Sequence, residues 1–123
     1  MPTLLVALPI KPGMSDAARA FAQECIGPRM ADFDASEQRI NIPVENWYLQ
    51  HTPSGDLFAI QIDGPDLNAS LGAFIASQDT FDLWFKQQLA GFTGIDLNAG
   101  PPPADMLAET LAEYKAAATV KQP

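Results

Sequence analysis

The segment VENWYLQHTPSGDLFAIQID, residues 44–63, decides the fold because it contains two strand-forming stretches separated by a turn. Val44–Thr52 and Leu57–Asp63 are rich in aromatic and β-branched residues, which favour strands. The intervening Pro53-Ser54-Gly55-Asp56 is typical of a turn. The segment therefore predicts a β-hairpin.

Side chains alternate along the two strands, so the hairpin has an apolar and a more polar face. The apolar face carries Trp47, Leu49, Phe58, Ile60 and Ile62. The other face carries Tyr48, Gln50, Thr52, Ala59, Gln61 and Asp63. We expect helices to cover the apolar face. In the register that we predict, Trp47 lies opposite Ile62, Tyr48 opposite Gln61 and Gln50 opposite Ala59.

The flanking sequence predicts one strand before the hairpin and helices on both sides of it. Leu4–Leu8 is a short apolar run that predicts a buried strand. A helix capped by Ser15 follows, is interrupted at Gly27-Pro28 and continues to about Arg39. After the hairpin we expect a helix through residues 67–75, a second one capped by Ser77 or Asp79, and a last helix carrying Leu107, Leu111 and Tyr114. A final strand near Met106–Glu113 is the alternative.

Composition limits the classes of function. The chain has 123 residues, the size of one domain, with 15 acidic and 7 basic residues and a net charge of −8. Scattered bases and an acidic surplus argue against nucleic-acid binding. The first apolar run is too short to span a membrane. A single cysteine fits a reducing compartment, so we expect a cytoplasmic protein. We expect one domain over residues 1–118 and a frayed tail at 119–123.

The order β-α-β-β-α, with Trp47-Tyr48-Leu49-Gln50, the turn at 53–56 and the stretch 77–85 (SQDTFDLWF), resembles the dimeric α/β-barrel superfamily of ferredoxin-like proteins. The superfamily includes antibiotic-biosynthesis-monooxygenase-like proteins, and the chain looks most like uncharacterised bacterial members. The resemblance implies an α+β, ferredoxin-like βαββα(β) fold with an antiparallel sheet, an extra C-terminal helical segment and homodimerisation. The chain departs from the superfamily pattern at the fourth strand, because residues 106–114, where that strand would lie, favour a helix.

In such a dimer the second hairpin face lines the barrel interior. Tyr48, Gln50 and Gln61 would then bind substrate, and Trp84 would reach the mouth of the cavity. His51, the only histidine, would be the general base, because its ordinary pKa lies near neutrality. The alternatives are a polar dimer interface or solvent exposure for this face, and a structural or exposed histidine.

The functional hypothesis is a homodimer that binds a small apolar or aromatic molecule between sheet and helices. If it is an enzyme, we expect a cofactor-independent oxygenase, isomerase or cyclase. The alternative is a non-catalytic binding or interaction module. One histidine per chain excludes a His-rich metal site, and we expect no metal or cofactor. Cys25 is expected to pack in the core, and Asp32, Asp34 and Glu37 to form a solvated helix face.

Overall fold

The computed structural model describes residues 1–117, and the tail predicted at 119–123 lies outside the described residues. Within them the chain is α+β, as predicted. The strands are β1 (Thr3–Pro9), β2 (Val44–Thr52) and β3 (Gly55–Asp63). The helices are α1 (Ser15–Ile26), α2 (Met30–Ile40), α3 (Leu67–Ala76) and α4 (Thr80–Thr93).

The described strands form an antiparallel sheet in the order β1-β3-β2, with the hairpin strand β3 at its centre. The predicted register is wrong by two residues. Trp47 pairs with Ile60, Tyr48 with Ala59 and Gln50 with Leu57. A shift of two residues preserves the alternation of faces, so both predicted sets of side chains stay together.

The hairpin turn explains the register. Thr52 pairs with Gly55, which leaves Pro53 and Ser54 as the two connecting residues. The Thr52 hydroxyl donates to the Gly55 carbonyl at 2.6 Å and accepts from the Ser54 amide at 3.2 Å. Gly55 has φ +130°, which favours glycine. The turn is therefore shorter than the four residues that the sequence suggested.

Helices cover the predicted apolar face and enclose an aromatic core. Phe21 of α1 stacks on Trp47 with the ring centroids 5.4 Å apart, and Phe58 and Phe85 lie within 6.4 Å of Phe21. Cys25 is fully buried, as predicted, and its burial raises the pKa of the thiol to about 12.

The predicted helix ends are partly right. The break at Gly27 is confirmed: a Cβ there would lie 2.7 Å from the Gln23 carbonyl oxygen. Asp79 caps α4 by accepting from the Phe81 amide at 3.0 Å. The predicted Ser15 cap is wrong, because α1 already includes Ser15 and its hydroxyl donates to Asp56 instead.

A buried polar network joins α2, α3 and α4. Asp82 has no exposed surface and accepts hydrogen bonds from Ser36, Ser77 and Arg39 at 2.5, 2.6 and 3.2 Å. Lys86, one turn further along α4, is equally buried. These contacts satisfy polar groups that would otherwise weaken the packing of the helices.

The predicted C-terminal helix is wrong. A single 3₁₀ turn spans Ala104–Met106, and residues 107–117 contain no helix. Leu107 instead forms an antiparallel bridge with Val6, and the Ala108 amide donates to the Leu5 carbonyl at 2.8 Å. The chain thus begins a fourth strand beside β1 and does not continue it.

The second sheet face has no helix over it in the described part of the chain. Tyr48 is 54% exposed on it, and Leu5 and Val44 are also exposed. Within residues 1–117, every helix is too short or too polar to cross a membrane.

Candidate functional site

A small cavity lies between the covered sheet face and helices α2, α3 and α4. Its volume is about 60 Å³. Most of its wall is apolar, including Val6, Ile40, Ile60, Ile62, Phe74, Phe85 and Leu89. Three polar residues interrupt this wall: Ser36, Glu37 and Glu45. The Ser36 hydroxyl donates to Asp82, so the two glutamates are the remaining polar residues of a wall whose exposed surface is almost wholly apolar.

The two glutamates reach the cavity from different elements. Glu45 lies on β2 two residues before Trp47, so both side chains project from the covered face. Glu37 lies on α2 four residues after Phe33, which places it on the same side of the helix as that partly buried ring. The two carboxyl groups are neighbours beside the cavity, close enough for one to hydrogen-bond to the other when it is protonated.

Burial in this apolar setting changes the acidity of both groups. Burial, the charge of Glu45 and the hydrogen bond to Glu45 together raise the pKa of Glu37 to about 10. Burial also raises the pKa of Glu45, while hydrogen bonds from Glu37 and Trp47 act in the opposite direction. Two adjacent, partly buried carboxylates repel each other, which favours a shared proton over ionisation of both groups.

The hydrogen bonds indicate where that proton resides. The Trp47 indole Nε1 donates to Glu45 Oε2 at 2.5 Å. Glu45 therefore accepts from Trp47 and from Glu37, and both bonds favour its ionised form. These hydrogen bonds favour a proton on Glu37 over a proton on Glu45. Two carboxyl groups in different surroundings therefore lie beside one apolar cavity, and such a pair can serve general acid–base chemistry.

Three of the predicted site residues share the open face of the sheet. Tyr48, Gln50 and Gln61 all lie there, although Tyr48 is opposite Ala59 and Gln61 is opposite Asn46. None of the three lines the cavity between sheet and helices. Within one chain the open face is separated from the two glutamates by the sheet itself.

His51 lies near the turn end of the hairpin. Its side chain is 73% exposed, and Nδ1 lies 2.7 Å from Asp56 Oδ1. The other Asp56 oxygen accepts from the Ser15 hydroxyl at 2.6 Å. Hydrogen bonds from Ser15 and His51 hold the pKa of Asp56 below its ordinary value. His51 does not line the cavity.

Trp84 lies in the helical layer. Its ring packs on Phe21 and Phe81 with centroid distances of 5.5 and 5.6 Å, and the Arg29 guanidinium lies 4.0 Å above it. The structure therefore does not bring Trp84 together with Tyr48, Gln50 and Gln61 in one pocket.

Sequence reasoning missed the glutamate pair. The predicted solvated helix face of Asp32, Asp34 and Glu37 holds only in part, because Glu37 lines the cavity as well as the outer groove and is partly buried. The sequence did contain a signal: Glu45, Trp47 and Leu49 are spaced two residues apart, so Glu45 lies on the apolar face of the strand. A carboxylate on the apolar face of a predicted strand needs a partner. Within residues 1–117 no group of three or more His, Cys, Asp or Glu side chains could hold a metal ion.

Comparison with known proteins supports the fold. No protein-family model and no curated protein matches the sequence. Among solved structures, the chain is similar to tetracenomycin F2 cyclase from Streptomyces glaucescens, described as a type-II polyketide cyclase, with a TM-score of 0.58 at 15% identity. The match covers 95% of this chain and 100% of the cyclase chain. This likeness confirms the predicted α+β, ferredoxin-like fold.

Proposed function

We propose that the protein binds a small apolar or aromatic molecule between sheet and helices and transforms it by acid–base chemistry at Glu45 and Glu37, without a cofactor. The observation that carries this proposal is the pair of neighbouring carboxyl groups beside an apolar cavity. Among oxygenation, isomerisation and cyclisation, the pair favours the last two, because both need a proton removed and another delivered. The described function of the structural neighbour, a cyclase, agrees with this choice.

The reaction step would be an enolisation. The Glu45 carboxylate removes a proton from the carbon beside a carbonyl group, while the Glu37 carboxyl group donates its proton to the carbonyl oxygen. Enolisation leaves Glu45 protonated and Glu37 ionised. The enol becomes an isomer when Glu45 delivers its proton to a different carbon and Glu37 takes back the enol hydroxyl proton. In ring closure the enol carbon attacks a second carbonyl group, whose oxygen takes the proton from Glu45 while Glu37 takes the enol hydroxyl proton. Either route returns both glutamates to their starting state.

Exchange of carbon-bound protons tests this step without knowledge of the natural substrate. The wild-type protein in D₂O should accelerate deuterium exchange at the activated methylene of 2-tetralone, followed by proton NMR. Glu45→Gln should lose the acceleration, and Glu37→Gln should reduce it. Glu113→Gln removes an exposed carboxylate and serves as the matched control.

Two outcomes contradict the proposal. One is exchange by Glu45→Gln at the wild-type rate. The other is loss of exchange in His51→Gln with full exchange in Glu45→Gln, which would move the reaction to the end of the hairpin.

The predicted homodimer and the predicted roles of Tyr48, Gln50 and Gln61 are part of this proposal. Two copies would pack their open sheet faces together, which would bury the exposed Leu5 and Val44. Tyr48, Gln50 and Gln61 would then lie between the sheets, where buried polar groups need partners. These partners would come from the second copy or from a bound molecule.

The size of the cavity favours a second candidate, a non-catalytic binding module. Ordinary small-molecule pockets have volumes of about 300–1,000 Å³, well above the cavity here. The catalytic proposal therefore requires the ligand to extend beyond the cavity. If 2-tetralone binds but undergoes no exchange that depends on Glu45, the binding module is the better description.

A further inference from the structure

A groove on the outside of the molecule adjoins the cavity. It lies between α2 and the start of β2 and has a volume of about 420 Å³. Phe33, Glu37 and Ile42 line both the groove and the cavity. These shared residues, which we call the junction, stand between the apolar cavity and the open groove.

The two sides of the junction differ in polarity. Only Ser36 and the two glutamates are polar in the cavity wall. The groove adds the polar side chains of Asp34, Gln38 and Asn41. The space as a whole therefore suits a molecule with one apolar end and one hydrogen-bonding end.

The ionisable side chains that line the cavity and the groove around the junction are all acidic. No Lys or Arg is among the described residues that line the cavity or the groove. The nearby Arg39 is paired with Asp79 at 3.0 Å and with Asp82 at 3.2 Å. The junction is thus surrounded by Asp34, Glu37 and Glu45, with no cation in either wall.

We propose that the cavity and the groove form one binding site that selects an uncharged amphipathic molecule over an organic anion of the same shape. The apolar end occupies the cavity, and the polar end lies in the groove beside Glu37. This inference rests on the proposed function, because it names the kind of molecule that the glutamate pair would act on.

Two costs exclude the anion. A carboxylate at the junction loses water without gaining a cationic partner. It also approaches the acidic side chains of Asp34, Glu37 and Glu45, and like charges repel more strongly in a poorly solvated site than in water. An uncharged hydroxyl group avoids both costs. It carries no charge to be repelled, and Asp34, Gln38 or Asn41 can accept its hydrogen bond in place of water.

The test compares 4-butylphenol with 4-butylbenzoate at pH 7, since they share a ring and chain and differ in charge. Methyl NMR measures both dissociation constants and locates the ligand. Ile60 reports on the cavity, and Met30 reports on the groove. We expect 4-butylphenol to shift both methyl groups and to bind about tenfold or more tightly than 4-butylbenzoate.

Glu45→Gln supplies the second arm. Removal of this acidic group should raise the affinity for 4-butylbenzoate about tenfold and leave the affinity for 4-butylphenol nearly unchanged. Glu113→Gln, the exposed control, should keep the wild-type preference. Equal affinities of the wild type for the two probes would overturn the inference, as would shifts confined to Met30 or shifts of neither methyl group.

The experiments distinguish failure of the ligand-selection inference from failure of the catalytic proposal. Binding is measured without turnover, so selection of the phenol together with an absence of ketone exchange would overturn only the catalytic proposal. Equal binding of phenol and benzoate with Glu45-dependent exchange would overturn only the selection of uncharged ligands.

Discussion

The Trp47 indole donates a hydrogen bond to the carboxylate of Glu45, two residues earlier on the same face of β2, at 2.5 Å. This contact links the aromatic core to the glutamate pair. Trp47 packs against Phe21 and Phe33 with centroid distances of 5.4 and 5.3 Å, so its indole is held in place. Packing of the core therefore fixes the orientation of the proposed base.

The stability of the protein should fall as the pH rises from about 5 towards 10, and Glu37 should contribute to this fall. Burial, Glu45, Asp82 and Asp34 raise the pKa of Glu37 from 4.5 to about 10. Between these two values the folded state holds a proton that the unfolded state has released, so unfolding becomes easier by up to about 1.4 kcal/mol per pH unit. Glu37→Gln should flatten this dependence in urea denaturation measured at pH 5, 7 and 9. A Glu37→Gln profile as steep as that of the wild type would contradict the prediction.

Phe58→Ala should destabilise the protein strongly. Phe58 is 3% exposed and packs against Phe21, Trp47 and Phe92. Truncation of a buried aromatic residue typically costs about 3–5 kcal/mol, and Trp47→Ala should also be costly. Leu111→Ala, at a side chain that is 88% exposed, is the control and should change the free energy of unfolding by about 0.5 kcal/mol or less. Chemical denaturation that finds Phe58→Ala as mild as the control would show that the helices do not cover this face.

Lys86→Met should also be destabilising, although methionine is apolar and similar in length. The Lys86 Nζ donates to the carbonyl oxygens of Phe74, Ile75 and Ser77 at 2.9–3.0 Å, which satisfies the C-terminal end of α3. Methionine would leave these carbonyl groups and Asp82 without the buried cation, at a cost of about 3 kcal/mol. Lys115→Met, at an exposed position, is the matched control. Thermal unfolding at the same temperature for both variants would refute the proposed role of Lys86.

The protein should be a homodimer at micromolar concentration. The open sheet face exposes Leu5, Val44 and Tyr48, and a stable interface there would bury about 1,200–2,000 Å² in total. Light scattering should give twice the mass of one chain, and Tyr48→Asp should reduce it to that of a single chain. A wild-type mass equal to one chain would refute the dimer.

The hairpin shows why much of the fold could be predicted from the sequence. The two faces depend only on alternation, so they remained correct even though the turn shifted the register by two residues. The prediction of a last helix was wrong because it relied on residue spacing alone. Leu107, Leu111 and Tyr114 have helical spacing, but Leu111 and Tyr114 are 88% and 91% exposed. Spacing alone does not form a helix where there is no surface to pack against.

The candidate site was harder to predict because it depends on a contact between two elements. Glu37 is one of several acids on α2, and although its spacing from Phe33 places it on the packed side of the helix, the local sequence does not show that it meets another carboxyl group. Its altered acidity arises when α2 packs on β2 and places it against Glu45. Such pairing of a helix with a strand is a tertiary property, which periodicity within either segment does not contain.

A ¹³C NMR titration of the glutamate side-chain carboxyl groups tests the central claim most directly. Assignment of Glu37 and Glu45 through Glu37→Gln and Glu45→Gln allows the pair to be followed from pH 3 to pH 11. We predict that the pair releases its last proton far above pH 7, with an apparent pKa near the value of about 10 expected for Glu37. Complete ionisation of both carboxyl groups near pH 4.5, their ordinary value, would contradict the shared proton and the acid–base chemistry built on it.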